Sequence, residues 1–225
     1  MRKRGVIFDL DGTLLDSMPM WHELDRRFLR EYGISAPDDI SEIVKRMTIE
    51  QSSAYYVERF HLPVTPETVK IRIEELAADA YLHDLQLKSG ADTLLAMLYV
   101  KGVKCAVASV TYPALMNAVL ERLDIRRYLL TALTPSAGMN GKHTPDFYFA
   151  VMREMGLTPA ETVVIEDALY AAETAKNAGF YTVGMKDALD SEDWDALDRI
   201  CDRTISEWDA LTDAAFLSMF DETSQ

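Results

Sequence analysis

From Ser89 to Met185 short apolar runs alternate with helical stretches, and this alternation narrows the fold more than any other feature of the chain. Residues 103–108 are apolar except for Lys104, as a strand covered on both faces of a parallel sheet would be. Before them Leu94, Leu95, Met97 and Leu98 mark a helix that Gly102 ends, and 113–123 reads as the next helix. The pattern then predicts a strand over 129–133, a helix over 145–155 stopped by Gly156, and a strand over 162–165. A helix over 168–178 stopped by Gly179 and a strand over 181–185 follow. The tail offers a weak strand at Thr204-Ile205 and a final helix through Trp208, Leu211, Phe216, Leu217 and Phe220. The expected class is α/β, a doubly wound parallel sheet with right-handed crossovers. Ligands of such sheets sit beyond the carboxyl ends of the strands, so chemistry-bearing residues should lie just after strands.

The first strand meets that expectation. Gly5-Val6-Ile7-Phe8 runs into Asp9-Leu10-Asp11-Gly12-Thr13. While the chain stays extended, side chains two apart face the same way, so Asp9 and Asp11 are expected in one site. Gly12 permits a sharp turn, and Thr13 adds a hydroxyl. Two carboxylates this close repel unless a cation or a proton lies between them. The pattern suits metal-assisted chemistry, with one carboxylate free to be a nucleophile and the other an acid/base. A buried strand ending in an ordinary Asp/Gly turn gives the same local string.

Between this strand and Ser89 the chain is almost wholly helical. Trp21, Leu24, Phe28, Leu29 and Tyr32 recur at helical spacing up to Gly33. Asp38 or Ser41 is expected to cap a short helix through Ile43, Val44 and Met47. Thr48 should open another with Tyr55, Tyr56, Val57 and Phe60, and Thr65 should cap a third beyond Pro66. The expected division is an α/β domain from 1–16 and 88–225, interrupted by a helical domain at 17–87, with hinges at 14–18 and 84–90.

Composition sets the partners. Lys+Arg number 23 against 37 Asp+Glu, a net charge of −14, which repels nucleic acid and anionic membrane. A phosphorylated substrate would need local positive charge. Cys105 and Cys201 form no CxxC, so neither a zinc site nor a disulfide framework is indicated. The basic Met1-Arg2-Lys3-Arg4 precedes an apolar run broken by Asp9 and Asp11, which reads as neither signal peptide nor membrane span. A cytoplasmic protein, monomeric or weakly homo-oligomeric, is expected.

Three further strand ends carry polar groups. After 103–108 come Ser109, Val110 and Thr111, where hydroxyls and backbone N–H groups suit a phosphate oxygen, although a serine there is also a common helix cap. Gly141-Lys142-His143-Thr144-Pro145-Asp146 opens a helix, with Pro145 in its first turn and Lys142 free to reach inward. Val163-Val164-Ile165 delivers Glu166-Asp167.

Together these strings resemble, in order, the signatures of the haloacid dehalogenase-like superfamily. Asp9-Leu10-Asp11-Gly12-Thr13 matches the first, and Lys142 lies in a version of Gly-Lys-Pro-x-Pro-Asp with His143 for the first proline. Glu166-Asp167 begins a version of Glu-Asp-Ser-x-x-Gly with Ala168 for the serine and Ala171 for the glycine. The resemblance covers essentially the whole chain, and the helical segment is similar to that family's cap, in the β-phosphoglucomutase-like branch. It implies a phosphoryl-transfer enzyme in which Asp9 attacks phosphorus and becomes an aspartyl phosphate. Asp11 protonates the leaving alcohol and then assists a water, while Lys142, Ser109 and backbone N–H groups around Val110 and Thr111 hold phosphate oxygens. Asp9, Asp11, Glu166 and Asp167 would crowd negative charge around the phosphate, each like pair ~4 Å apart costing about 4 kcal/mol at an effective dielectric of 20. An octahedral, oxygen-seeking Mg²⁺ fits such ligands. The expected set is Asp9, Asp167 and the Asp11 backbone carbonyl, with Glu166 as a further candidate.

The resemblance favours a phosphatase of a small phosphorylated metabolite, a sugar phosphate above all. In the mutases a cap histidine serves the second acid, and here Trp21 takes that position with His22 one place off. A mutase's distal-phosphate arginine would fall near Ile49, and Thr13 stands where mutases often have a small apolar residue. Trp21 and His22, and Lys45 and Arg46, are the candidates for contacting the rest of the substrate. A β-phosphoglucomutase-type phosphotransferase and a non-catalytic phosphate-binding regulator are the alternatives. Superfamily dehalogenases lack the second aspartate, so Asp11 argues against that activity.

Overall fold

The computed structural model describes residues 2–44, 47, 49–136, 138–187, 191 and 193–221. The chain divides into two compact units, Ser17–Leu85 and Met1–Asp16 with Gln86–Gln225.

The first unit is helical: α1 Met18–Glu31, α2 Ile40–Val44, α3 Ile49–Phe60 and α4 Pro66–Asp79. Its core joins Leu24, Phe28 and Leu29 of α1 to Tyr56 of α3 and Val69, Ile73 and Leu76 of α4, all at helical spacing. Thr65 caps α4 as expected, its hydroxyl oxygen accepting the Thr68 N–H at 3.2 Å. The chain then continues through a wider π-type turn over Ala80–Asp84. Two details of α2 differ from expectation: Ser41, one of its two candidate caps, is not a cap, and the helix stops short of Met47. Ser41 lies inside the helix and its hydroxyl donates to the His22 carbonyl at 3.0 Å. A hydroxyl with an acceptor on α1 has no need to serve the local backbone. Thr48, Lys45 and Arg46 lie outside the described residues.

The second unit is a six-stranded sheet of β1 Gly5–Phe8, β2 Lys104–Ala108, β3 Leu129–Leu133, β4 Thr162–Glu166, β5 Tyr181–Met185 and β6 Arg203–Ile205. The order is β3-β2-β1-β4-β5-β6 and every pairing is parallel. The crossovers include α5 Ala91–Val100, α6 Pro113–Arg122, α7 Asp146–Met155 and α8 Leu169–Asn177. The succession runs outward from β1 through β2 to β3, then returns to β1's other side at β4. The crevice at the β1 and β4 ends is therefore the topological switch point.

Alternation along the strands divides the core. Ile7, Ala106, Ala108 and Val164 meet Phe147, Tyr148, Val151 and Met155 of α7 on one face. On the other, Phe8 packs on Trp208 with ring centroids 5.8 Å apart. Val6, Ile7 and Phe8 are fully buried. Each contributes about 1.5–3 kcal/mol of transfer free energy, so β1 is held firmly where it delivers Asp9.

The tail departs from expectation. A helix not anticipated, α9 Trp194–Ile200, precedes β6. The single final helix is instead a 3₁₀ turn Trp208–Leu211, a short α10 Ala214–Leu217 and another 3₁₀ turn Ser218–Phe220. The break is Thr212-Asp213, where the Asp213 carboxylate accepts the Phe216 N–H at 2.7 Å and starts α10 afresh. Helix α7 starts at Asp146, with Pro145 just before it rather than inside the first turn. Among the described residues no helix is long and apolar enough to cross a membrane.

Candidate active site

β1 ends at Phe8, and the ladder reaches one step further because the Asp9 N–H donates to the Ile165 carbonyl at 2.9 Å. Asp9 is thereby fixed to β4, and its side chain is buried. The chain does not stay extended beyond it. Gly12 takes a positive φ of 72° and the Leu15 N–H returns to the Leu10 carbonyl at 2.8 Å, closing a tight loop. Asp11 lies inside that loop, before Gly12. Its Oδ2 accepts a 2.6 Å hydrogen bond from Thr111 Oγ1, although its charge still reaches Asp9.

Opposite Asp9, β4 ends in Glu166, buried, followed by half-buried Asp167. Lys142, from the loop before α7, is 3% exposed and its ammonium sits between Asp9 Oδ1, with which it makes a close ion pair, and Glu166 Oε1 at 2.7 Å. The Tyr148 hydroxyl donates to the same Oε1 at 2.7 Å. Glu166 Oε2 is buried and has no hydrogen-bond partner among the described residues. Thr13, fully buried, sets its Oγ1 3.4 Å from Asp167 Oδ1.

One oxygen each of Asp9, Glu166 and Asp167 lie within 4.8 Å of one another. Burial shifts all three acids upward. Glu166 is pushed up to about 8 by burial, against the pull of Lys142 and with Asp9 adding to the rise. Asp167 is raised well above its ordinary value by burial and then by Asp9 and Glu166. Asp9 is raised by burial, with Lys142 opposing. For Lys142, burial favours the neutral amine, but Asp9 and Glu166 outweigh it and the net shift is upward. Three acids against one ammonium would leave a surplus of negative charge once ionised, and a buried carboxylate oxygen has no donor among the described residues. Both features fit a hard divalent cation held by oxygen ligands.

The other sequence candidates are placed as follows. Ser109 is buried and its Oγ accepts the Thr111 N–H at 3.1 Å, so it shapes the loop after β2 without capping α6, which begins at Pro113 behind Tyr112. Val110 is 60% exposed at that loop. The His143 imidazole stacks on the Tyr170 ring with centroids 4.4 Å apart and 21° between planes. Ala168 heads α8 without a side-chain cap, as its missing hydroxyl implies. Trp21 and His22 belong to the helical unit, where Trp21 is 37% exposed and meets Tyr81 edge-on at 6.5 Å. Sequence reasoning missed Tyr148 and Tyr170. The signal available was position, two residues past Asp146 for one and three past Asp167 for the other.

Known proteins resemble this chain over most of its length. Residues 6–185 match the model of the haloacid dehalogenase-like hydrolase family. A phosphorylated carbohydrates phosphatase from Thermotoga maritima is 28% identical over 175 residues, covering 78% of this chain and 81% of that protein. Hexitol phosphatase A from Escherichia coli is 27% identical over 193 residues, covering 85% and 87%. Among solved structures, a candidate β-phosphoglucomutase from Thermotoga maritima superposes with a TM-score of 0.81 at 25% identity, covering 93% of this chain and 97% of that one. The order of the parallel strands, the four strand-end strings and a family match over most of the chain lead to one assignment: this protein belongs to the haloacid dehalogenase-like hydrolases.

Proposed function

We propose that the chain is a Mg²⁺-dependent phosphatase of a small phosphorylated metabolite, a sugar phosphate in the first instance, working through an aspartyl phosphate on Asp9. The observation that carries this reading is the Lys142 ammonium held between Asp9 and Glu166, beside three acidic oxygens within 4.8 Å of one another. Relatives named as phosphatases of phosphorylated carbohydrates and hexitols support the substrate class.

In this mechanism an Asp9 carboxylate oxygen forms a bond to phosphorus as the bond to the leaving alkoxide breaks. Asp11, oriented by Thr111, gives that alkoxide its proton. Asp11 then takes a proton from a water whose oxygen attacks phosphorus, releasing inorganic phosphate and restoring Asp9. Lys142 balances charge on the equatorial oxygens with the Val110 backbone N–H as the candidate donor beside it, while the Thr111 N–H is engaged by Ser109 Oγ. Asp9, Asp167, Glu166 and the Asp11 carbonyl would hold the Mg²⁺, which when bound offsets carboxylate charge and draws the phosphate toward Asp9. Ser17–Leu85 is read as the cap, with Trp21 and His22 selecting the rest of the substrate. Two unpaired cysteines suit a reducing compartment, in keeping with a cytoplasmic enzyme.

The test is hydrolysis of p-nitrophenyl phosphate, expected to need Mg²⁺ and to vanish in Asp9→Asn, followed by a screen of phosphorylated sugars and polyols. Phosphate binding without turnover in the wild type would make the chain a binder. The structural likeness to a candidate β-phosphoglucomutase supports one second reading. Interconversion of β-glucose 1-phosphate and 6-phosphate, primed by the bisphosphate, would replace the phosphatase with a mutase.

A further inference from the structure

Tyr148 is the third residue of α7, on the face that covers β1 and β2, and it is completely buried. Packing alone would be met by phenylalanine, since the ring already has Phe147 and Phe180 as neighbours with centroids 6.3 and 6.1 Å away. A buried hydroxyl brings an obligation to hydrogen-bond, and one O–H can donate only once. The short contact is to Glu166 Oε1 at 2.7 Å, while the Ala171 carbonyl lies at 3.4 Å. Lys142 donates to that same Oε1 at 2.7 Å. Two donors thus converge on one oxygen of a carboxylate whose other oxygen, equally buried, has no partner among the described residues. A carboxylate free to rotate would share its donors between both oxygens. Held by Tyr148 from one helix and Lys142 from a loop, it cannot do so without breaking one of these bonds.

We propose that Tyr148 is a positioning residue for the cation site: by anchoring Oε1 of Glu166, its hydroxyl reserves Oε2 as the ligand atom that joins Asp9 and Asp167. This inference rests on the proposed reading of the three acids as a divalent-cation site. Residues that orient a ligand without touching the metal commonly change its affinity by about 10- to 100-fold when removed. Tyr148→Phe removes one oxygen and keeps the packing, so the metal-free protein should unfold within a few degrees of wild type.

The experiment is calorimetric titration of the wild-type chain with Mg²⁺, beside Tyr148→Phe, Glu166→Ala and the double variant, with no substrate present. The expected result is a Mg²⁺ dissociation constant weakened about tenfold in Tyr148→Phe. In the Glu166→Ala background the same substitution should change nothing, because the group it acts through is gone. An unchanged constant in Tyr148→Phe, or an equal loss in the Glu166→Ala background, overturns the positioning role while leaving the cation site in place. Asp167→Asn separates the two levels. If wild type binds no Mg²⁺, or Asp167→Asn binds it as tightly, the cation site itself fails and the inference falls with it.

Discussion

Thr111 Oγ1 donates a 2.6 Å hydrogen bond to Asp11 Oδ2, linking the loop after β2 to the loop after β1 across 100 residues of chain. The Thr111 backbone is steadied in turn by Ser109 Oγ. The two aspartates of the opening string are thereby given different surroundings: Asp9 faces Lys142, and Asp11 faces a hydroxyl. If Asp11 is the proton carrier, its direction matters more than its strength as a ligand. Thr111→Val keeps the shape and removes the donor. A hydrogen bond to a charged group contributes about 1.5 kcal/mol at the low end, which is roughly tenfold in rate. The expected outcome is kcat lowered about tenfold with KM and thermal midpoint nearly unchanged, measured by steady-state hydrolysis of p-nitrophenyl phosphate. A KM effect alone would show that the hydroxyl serves substrate binding instead.

Lys142 is the buried cation that allows Asp9 and Glu166 to face each other. Lys142→Met fills the space without the charge, and breaking a buried pair on one side costs about 3–5 kcal/mol. The pH dependence has a definite sign. Burial raises both carboxyl groups, Glu166 to about 8, so their protonated forms are favoured in the folded state. A raised acid leaves stability intact below its unfolded value and removes it as pH rises through the folded value. Without Lys142 the rise is larger. The deficit of Lys142→Met against wild type, read as thermal midpoints in EDTA, should be modest at pH 5 and grow toward pH 8. Mg²⁺ should recover part of it at pH 8. A deficit independent of pH would mean that packing, not charge, is what Lys142 supplies.

His143 and Tyr170 form a stacked clasp between the Lys142 loop and the start of α8. His143 stands where the pattern Gly-Lys-Pro-x-Pro-Asp has its first proline. The ring contact supplies another way to fix the same backbone. Aromatic pairs are worth about 0.5–1.5 kcal/mol beyond area, so a double-mutant cycle of His143→Ala and Tyr170→Ala should give a coupling near the lower value. Urea unfolding of the four proteins checks it. Strict additivity would mean that the two rings stack without holding anything.

What the sequence discloses follows from how each feature is encoded. The central strands are continuous buried runs with punctuation, and Val163-Val164-Ile165 before Glu166 is as plain in the string as in the sheet. Strand-end chemistry is legible for the same reason, since a parallel sheet has one productive edge. Helix α9 has only Leu197 buried and so shows no apolar stripe to read. The tail buries Trp208, Leu211, Phe216 and Phe220 on short turns whose faces do not share one helical period. Hydroxyl-to-carboxylate pairs such as Thr111 with Asp11 and Tyr148 with Glu166 join distant segments, and neither residue type announces its partner. Asp25 is the sharpest case: an acid followed by Arg26 and Arg27 reads as a solvated helix face, yet it is buried.

Inside the helical unit the Tyr56 hydroxyl donates to Asp25 Oδ1, joining α3 to α1 among Leu24, Phe28 and Leu29. Burial raises the Asp25 carboxyl above its ordinary value, and the bond from Tyr56 offsets only part of that rise. Below the unfolded value, near 3.8, both states are protonated and the group places no burden on the fold. As pH climbs from there through the raised folded value, the unfolded chain ionises first and stability is lost. At neutral pH the buried charge therefore works against the unit it sits in. Asp25→Asn keeps an oxygen for Tyr56 and removes the charge, and replacing buried charge with a neutral group of similar shape is often neutral or stabilising. The expected gain at pH 7.5 is about 1 kcal/mol, roughly 2–4 °C in thermal midpoint for a chain of this size, shrinking toward zero near pH 4. Circular dichroism melts across that range provide the check. A loss of stability at pH 7.5 would show that Tyr56 needs an ionised acceptor, and that this bond outweighs the desolvation of the carboxylate.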